Sequence, residues 1–418
     1  MSRILYSFIL YLLSPFIILN LVLRGFKSSA YFSRWSERFG YINFDSKKEV
    51  IWIHAVSVGE VMASVPLVEY FLNQSKKYQI IITTTTPTGS DQVKKCFGRD
   101  VEHCYIPYDF IGSVTRFIKQ VNPRALILME TELWPNIINY CKKNNIKIVL
   151  ANARMSQRSF DSYNFFSWVV LPMFKSIDLI AAQYKEDADR FKELGTPTEK
   201  IILTGNLKFD ASVTNSERLK AKRILKEMAP KYVLIAASTH QNEEAIILKI
   251  YRNLKKEFPD LKLIVVPRHP ERFEAVAQLF ESSNFIVKRR SLSKSFSNAD
   301  IILGDTMGEL KYLYGVCDIA FVGGSLVETG GHNTIEPAAW KIPVLVGPHT
   351  FNFSSVNKIL SEVGGLKICK NPFELESELG RLLRDNEYRL STGASASRAL
   401  EKSSGALKLL TNGISQII

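Results

Sequence analysis

Ile319-Ala320-Phe321-Val322-Gly323-Gly324-Ser325, followed closely by Gly330-Gly331-His332-Asn333-Thr334-Ile335-Glu336-Pro337-Ala338-Ala339, reads as a buried strand that runs into glycines, loops briefly and opens a helix. The run from Ile319 to Val322 is apolar without alternation, as in a strand covered on both faces. Asn333 or Thr334 can cap the helix, and Glu336 then lies in its first turn. Such a turn aims backbone N–H groups and a positive dipole end at an anion, so a phosphate fits there. A carboxylate one turn in can accept hydrogen bonds from a ribose diol. A plain capped helix with an acid on its dipole has the same sequence, so the choice falls to the rest of the chain.

The strand–loop–helix unit recurs in both directions. In the first half, strands are expected at residues 50–54, 79–84, 125–129, 147–151, 178–182 and 201–203, with amphipathic helices between them at 61–73 and 186–194 among others. The second half restarts the pattern at 232–237, 261–266, 300–303, 319–322, 343–346 and 366–368. Strands alternating with helices predict parallel sheets covered on both faces. Two series joined near residues 210–217 predict an α/β chain of two doubly wound, Rossmann-like domains facing a cleft. The 418 residues suffice for two such cores.

In open parallel sheets, ligands bind outside the carboxyl ends of the strands. Those ends carry Ser57-Val58-Gly59-Glu60-Val61, Glu130-Thr131-Glu132-Leu133-Trp134-Pro135-Asn136 and Gly205-Asn206-Leu207-Lys208-Phe209-Asp210 in the first half. In the second they carry Ser238-Thr239-His240, Pro267-Arg268-His269-Pro270-Glu271-Arg272, Gly304-Asp305-Thr306-Met307-Gly308-Glu309 and Gly347-Pro348-His349. One such loop is ordinary capping. The whole set at one end of two sheets predicts a site.

Five scattered cysteines without a C-x-x-C pair argue against a disulfide framework or a structural zinc site. Residues 4–23 are nearly unbroken in apolar character, with Arg3 before them and Arg24, Lys27, Arg34 and Arg38 after. That length just crosses a hydrocarbon core and exceeds a signal peptide's apolar core, so an uncleaved anchor helix is expected, with the body of the protein on the cytoplasmic side of its membrane. Pro15 also leaves room for a bent, half-inserted segment. The net charge of +13 is spread along the chain, not gathered in an aromatic-interleaved stripe, which points to anionic membrane lipids or a phosphorylated lipid substrate and not to nucleic acid.

Across nearly the whole chain, these motifs resemble the Kdo transferases, which attach 3-deoxy-D-manno-octulosonic acid (Kdo) to lipid A precursors in lipopolysaccharide synthesis. The resemblance rests on the apolar amino terminus, Ser57 to Val61, Met129 to Asn136, Gly205 to Asp210, Pro267 to Arg272, Gly304 to Leu310, Phe321 to Ser325 and His332 to Ala338. It implies a GT-B architecture: an anchor at 1–27, an acceptor domain at 28–211 for the lipid A precursor, and a donor domain at 212–418 for CMP-Kdo. The last helix is expected to pack back on the amino-terminal domain. By the same resemblance Glu60 is the proton acceptor, and Glu130 and Lys208 stabilise the transition state. Lys208 can neutralise the departing CMP, while Glu130 either orients Lys208 or faces charge developing on the sugar. CMP falls to Pro267, Arg268, Met307, Gly308, Glu309, Asn333, Thr334, Ile335 and Glu336. A guanidinium forks well onto a phosphate.

No cofactor and no metal are expected. Asp187-Ala188-Asp189 has the D-x-D form of metal-dependent transferases, but it falls in the first turn of a helix, where acids suit the dipole. Two other classes fit the fold: an enzyme acting on UDP- or GDP-sugars, transferase or epimerase, and an anchored nucleotide-binding protein without turnover.

Overall fold

A computed structural model describes residues 2–210, 213–228, 230–293 and 295–418. The chain divides into two compact units, the first comprising Met1–Asp210 with Ser404–Ile418 and the second Ala211–Ser403. The first holds β1 (Glu49–His54), β2 (Tyr78–Thr84), β3 (Glu102–Tyr105), β4 (Pro123–Met129), β5 (Lys147–Ala153), β6 (Leu179–Ala182) and β7 (Ile201–Leu203). They form one sheet in the order β3-β2-β1-β4-β5-β6-β7, every pairing parallel. Val50 and Trp52 enter the core on one face of β1, Ile51 and Ile53 the core on the other. Period-two alternation with both faces apolar is why these strands read as continuous hydrophobic runs.

The second unit repeats the plan with β8 (Tyr232–Thr239), β9 (Leu261–Pro267), β10 (Val287–Arg289), β11 (Ile301–Leu303), β12 (Ile319–Val322), β13 (Val344–Val346) and β14 (Leu366–Ile368). Their order is β10-β11-β9-β8-β12-β13-β14, again parallel throughout. Both sheets therefore reverse their direction of winding once, between β1 and β4 in the first unit and between β8 and β12 in the second. Chain leaving adjacent strands diverges at such a switch point, which opens a crevice at their carboxyl ends.

Two strands escape the sequence pattern. β3 and β10 are short edge strands, and Glu102, His103, Lys288 and Arg289 make them look like loop; charges on an edge discourage pairing with other chains.

The amino terminus departs from the single anchor helix expected over residues 4–23. Ser2–Leu12 and Ser14–Lys27 are separate helices bent by 53°, because Pro15 cannot continue the first and instead opens the second. Among the described residues no single helix is long and apolar enough to cross a membrane, although the bent pair passes on length and composition together. The first helix is tied to its unit on one side. Ser7 Oγ exchanges hydrogen bonds with the Asn136 amide (3.0 and 3.1 Å), and the Tyr11 ring meets that of Phe110 at 5.0 Å. Its other side leaves Ile4, Phe8 and Leu12 exposed.

Asn136 also donates to the Asp109 carbonyl (2.7 Å), while its backbone N–H meets the Asp109 carboxylate (2.9 Å). Replacing Asn136 with Ala leaves a buried carbonyl and the Ser7 hydroxyl unpaired, so urea unfolding should lose about 1–3 kcal/mol. An unchanged midpoint would mean that the helix is merely laid against the unit.

Candidate active site at the two switch points

At the first switch point β1 ends and the chain turns through Ala55-Val56-Ser57 into the helix Val58–Leu72. The helix begins three residues before the expected start at residue 61, so Glu60 stands in its first turn and not on a free glycine turn. The Glu60 carboxylate reaches back to accept from the Val56 N–H (2.7 Å), and Ser57 Oγ lies 3.4 Å from its other oxygen. This is the reciprocal logic of a capping acid. A dipole contact of that kind lowers a carboxyl pKa. Burial runs the other way and wins: at 9% exposure, and with Glu130 and Glu132 adding to the effect, the Glu60 pKa is pushed up to about 8.

β4 ends at Met129, and Glu130 follows with φ +58. A left-handed backbone at a non-glycine costs roughly 1 kcal/mol or more and persists where its surroundings impose it. Here the Glu130 N–H is held by the Ala151 carbonyl (3.0 Å). Lys208 Nζ stands 3.9 Å from the Glu130 carboxylate, both side chains about a third exposed. Lys208 is delivered by a ladder of amides. Gln183 donates to the Asn152 carbonyl (2.8 Å), Asn206 donates to Gln183 Oε1 (3.0 Å), and Asn152 Oδ1 accepts from the Leu207 N–H (3.0 Å). Glu60, Glu130 and Lys208, drawn from three separate stretches, thus meet at one end of one sheet. Glu132 joins them, and burial raises its pKa as well.

At the second switch point, β8 runs into His240 and β12 into Gly323. The glycine turn does not point its N–H groups at open space. The buried carboxylate of Glu243 accepts from Gly324 (2.7 Å), Ser325 (3.0 Å), Leu326 (2.9 Å) and His240 (2.8 Å). A Cβ on Gly323 would meet that carboxylate at 2.8 Å, which is why the position is glycine. Above the turn, His240 and His332 have rings within 10° of coplanar, with centroids 5.0 Å and Nε2 atoms 2.7 Å apart. The N–N separation plus the two ring radii accounts for the centroid distance, so the pair is an in-line hydrogen bond and not a face-to-face stack. One nitrogen donates and the other accepts, so the two rings cannot both be imidazolium. Burial pushes the His332 pKa down to about 3, helped by Arg268 and the other two histidines. His269 meets His240 edge-on at 5.2 Å.

The residues expected to hold the donor divide by what their side chains are free to do. Arg268 follows β9; its N–H donates to the Thr239 carbonyl (3.0 Å), and its guanidinium has no hydrogen bond or ion pair among the described residues. Pro267 closes β9, and Met307 is exposed beside Gly308 at φ +82. The Glu309 carboxylate is committed to Arg290 (2.9 and 3.0 Å) and to the Thr306 hydroxyl, so only its backbone is available to a ligand. Asn333 rather than Thr334 supplies the helix-start hydrogen bond, accepting from the Ile335 N–H (3.0 Å) and donating to Glu336 (3.2 Å). Thr334 turns inward to Asn357 (2.6 Å) and Ile335 is buried, so both can offer main chain alone. Burial raises the Glu336 pKa.

Asp187 is a capping acid: one oxygen accepts from the Met155 N–H (2.8 Å), the other from the Tyr184 N–H (3.2 Å). Among the described residues no group of three or more His, Cys, Asp or Glu is placed to hold a metal. The sequence motifs include His240 and His332 but give neither a role, and they pass over Glu243. A glutamate three residues after His240, at a strand-to-helix turn, is the capping-box spacing that could have flagged Glu243.

Residues 33–211 match the family described as 3-deoxy-D-manno-octulosonic-acid transferase (kdotransferase). A 3-deoxy-D-manno-octulosonic acid transferase of Haemophilus influenzae is 43% identical over 416 residues, 98% of this chain and 97% of that one. Its counterpart in Aquifex aeolicus is 34% identical over 342 residues, 80% of this chain and 86% of that one. Among solved structures, the UDP-GlcNAc 2-epimerase of Neisseria meningitidis superposes with a TM-score of 0.59 at 15% identity, covering 88% of this chain and all of that one. MurG of Acinetobacter baumannii does so at 0.51 and 13%, covering 87% and 99%. At such identities the superpositions speak to the GT-B-like fold alone.

Proposed function

Because this chain belongs to the 3-deoxy-D-manno-octulosonic acid transferase family, we propose that it moves Kdo from CMP-Kdo to a lipid A precursor, a tetraacyldisaccharide 4'-phosphate, with inversion and without a metal. The observation that carries this reading is the meeting of Glu60, Glu130 and Lys208 at the first switch point. Glu60 takes the proton of the acceptor hydroxyl as its oxygen bonds to the anomeric carbon of Kdo. The bond from that carbon to the phosphate oxygen breaks, and CMP departs as an anion. Lys208 offsets the charge on the departing phosphate, and Glu130 holds Lys208 in place. On the donor side Arg268 is the free guanidinium for the phosphate, and the hydrogen-bonded pair Asn333 and Glu336 serves the ribose. Pro267, Met307, Gly308, Glu309, Thr334 and Ile335 contribute main chain and shape.

The bent apolar pair at the amino terminus supports residence at the inner membrane, with anionic lipids balancing the basic surface.

Incubating the protein with freshly generated CMP-Kdo, a lipid A precursor and EDTA should give a product heavier by Kdo in mass spectrometry. Arg268→Ala should abolish CMP binding in calorimetry while the circular dichroism spectrum persists. No product with CMP-Kdo, or turnover that needs added magnesium, would defeat the reading.

A further inference from the structure

Arg38 ends the short helix Trp35–Arg38 and is 4% exposed. Its guanidinium makes one hydrogen bond, from Nη2 to the Thr85 carbonyl (3.0 Å), and lies 4.1 Å over the Tyr105 ring. Nε is buried and has no acceptor among the described residues. The obvious partner is spent elsewhere: Glu37 gives one oxygen to Arg34 Nε (2.7 Å) and the other to the Tyr105 N–H (2.8 Å). Among the described residues no carboxylate forms an ion pair with Arg38. A guanidinium carries five donors, and burying the one at Nε without an acceptor is costly unless an anion completes the set. Burial accordingly holds the Arg38 pKa below its usual value.

The location gives that missing anion a use. Thr85 follows β2 directly, and its N–H and hydroxyl both donate to the Val56 carbonyl (3.2 and 3.1 Å). The N–H of Val56 is the one that holds Glu60. Arg38 is therefore linked to the candidate base through two residues, Thr85 and Val56. On its other side Tyr108 donates its N–H to the Arg38 carbonyl (2.7 Å), and the positive charge of Arg24, on the helix Ser14–Lys27, favours the ionised Tyr108 hydroxyl. A lipid lying along that helix would bring its polar head to this corner.

We propose that Arg38 anchors an anion subsite for a phosphate ester of the acceptor, selecting phosphorylated acceptors for the hydroxyl that Glu60 deprotonates. The inference rests on the acceptor reading above. The guanidinium fork suits a phosphate, whereas a neutral sugar hydroxyl leaves its charge unmatched.

The test uses the full chain in detergent and compares Kdo transfer onto the phosphorylated disaccharide with transfer onto the same acceptor after phosphatase treatment. Wild type should prefer the phosphorylated form. Arg38→Gln should lose roughly ten- to a hundredfold in kcat/KM on it, mostly through KM, and should no longer discriminate between the two. Arg38→Lys, a point charge without the fork, should fall between. An unchanged circular dichroism spectrum and an unchanged urea midpoint would show both variants folded. A preference that survives Arg38→Gln, or an equal loss on both acceptors, overturns the subsite. So does unchanged selectivity with weaker binding to phosphatidylglycerol vesicles, which would hand Arg38 to a lipid headgroup. Transfer to neither acceptor by wild type would instead defeat the proposed function.

Discussion

Glu60→Gln should lower Kdo transfer by about two to four orders of magnitude while leaving CMP affinity unchanged. Glutamine keeps the size of the side chain, and its carbonyl can still accept from the Val56 N–H. What it cannot do is take a proton from the acceptor. CMP is assigned to residues of the other unit, so calorimetry should not register the change. Near-normal transfer by the variant would remove Glu60 from the base role, and Glu132, the half-buried acid of the cluster whose pKa is also raised, would be tested next.

The same carboxyl makes two pH predictions. With its pKa pushed up to about 8, Glu60 is mostly protonated at neutrality, so kcat/KM in wild type should climb as pH rises through about 8. The folded state also holds this proton more tightly than the unfolded chain does. Its contribution to stability is therefore complete below the ordinary carboxyl range and is lost as pH rises through about 8. Glu60→Gln has no proton to lose there and should gain thermal stability relative to wild type most clearly at alkaline pH. A pH profile of kcat/KM flat across that range would contradict the burial argument.

Legibility in the sequence followed burial. Long strands covered on both faces, such as β1, β4 and β9, announce themselves as apolar runs, and their carboxyl ends hold Glu60, Glu130 and Arg268. β3 and β10 were invisible because an edge strand needs only one apolar face and benefits from charge. At the amino terminus hydropathy gave one apolar run and Pro15 left room for a bend, which the two helices show; what no local window offers is Ser7, polar and apparently trivial, tying the first helix to Asn136. Long-range ladders, such as Asn152, Gln183 and Asn206 beneath Lys208, join residues that no local window brings together. The glycine turn after β12 is the instructive case. Read locally it is an anion cradle, and in the fold it is one, but its anion is a side chain of the protein itself.

That internal anion carries the other large expected effect. Glu243 is fully buried and accepts four main-chain hydrogen bonds, three of them from consecutive residues of the turn that separates β12 from His332. Glu243→Gln would set an amide N–H against main-chain N–H groups and leave buried donors unpaired. A loss of about 3 kcal/mol or more in the unfolding of the second unit should follow. The turn also fixes His332, whose ring packs against Gly324, and with it the surface on which Arg268 presents its guanidinium. CMP affinity should therefore fall at least about tenfold even at temperatures where the variant remains folded. A variant that unfolds normally and binds CMP normally would mean the turn holds its shape without Glu243. Weakened CMP binding with unchanged stability would instead place Glu243 in direct service of the ligand, a role its complete burial and four main-chain partners argue against.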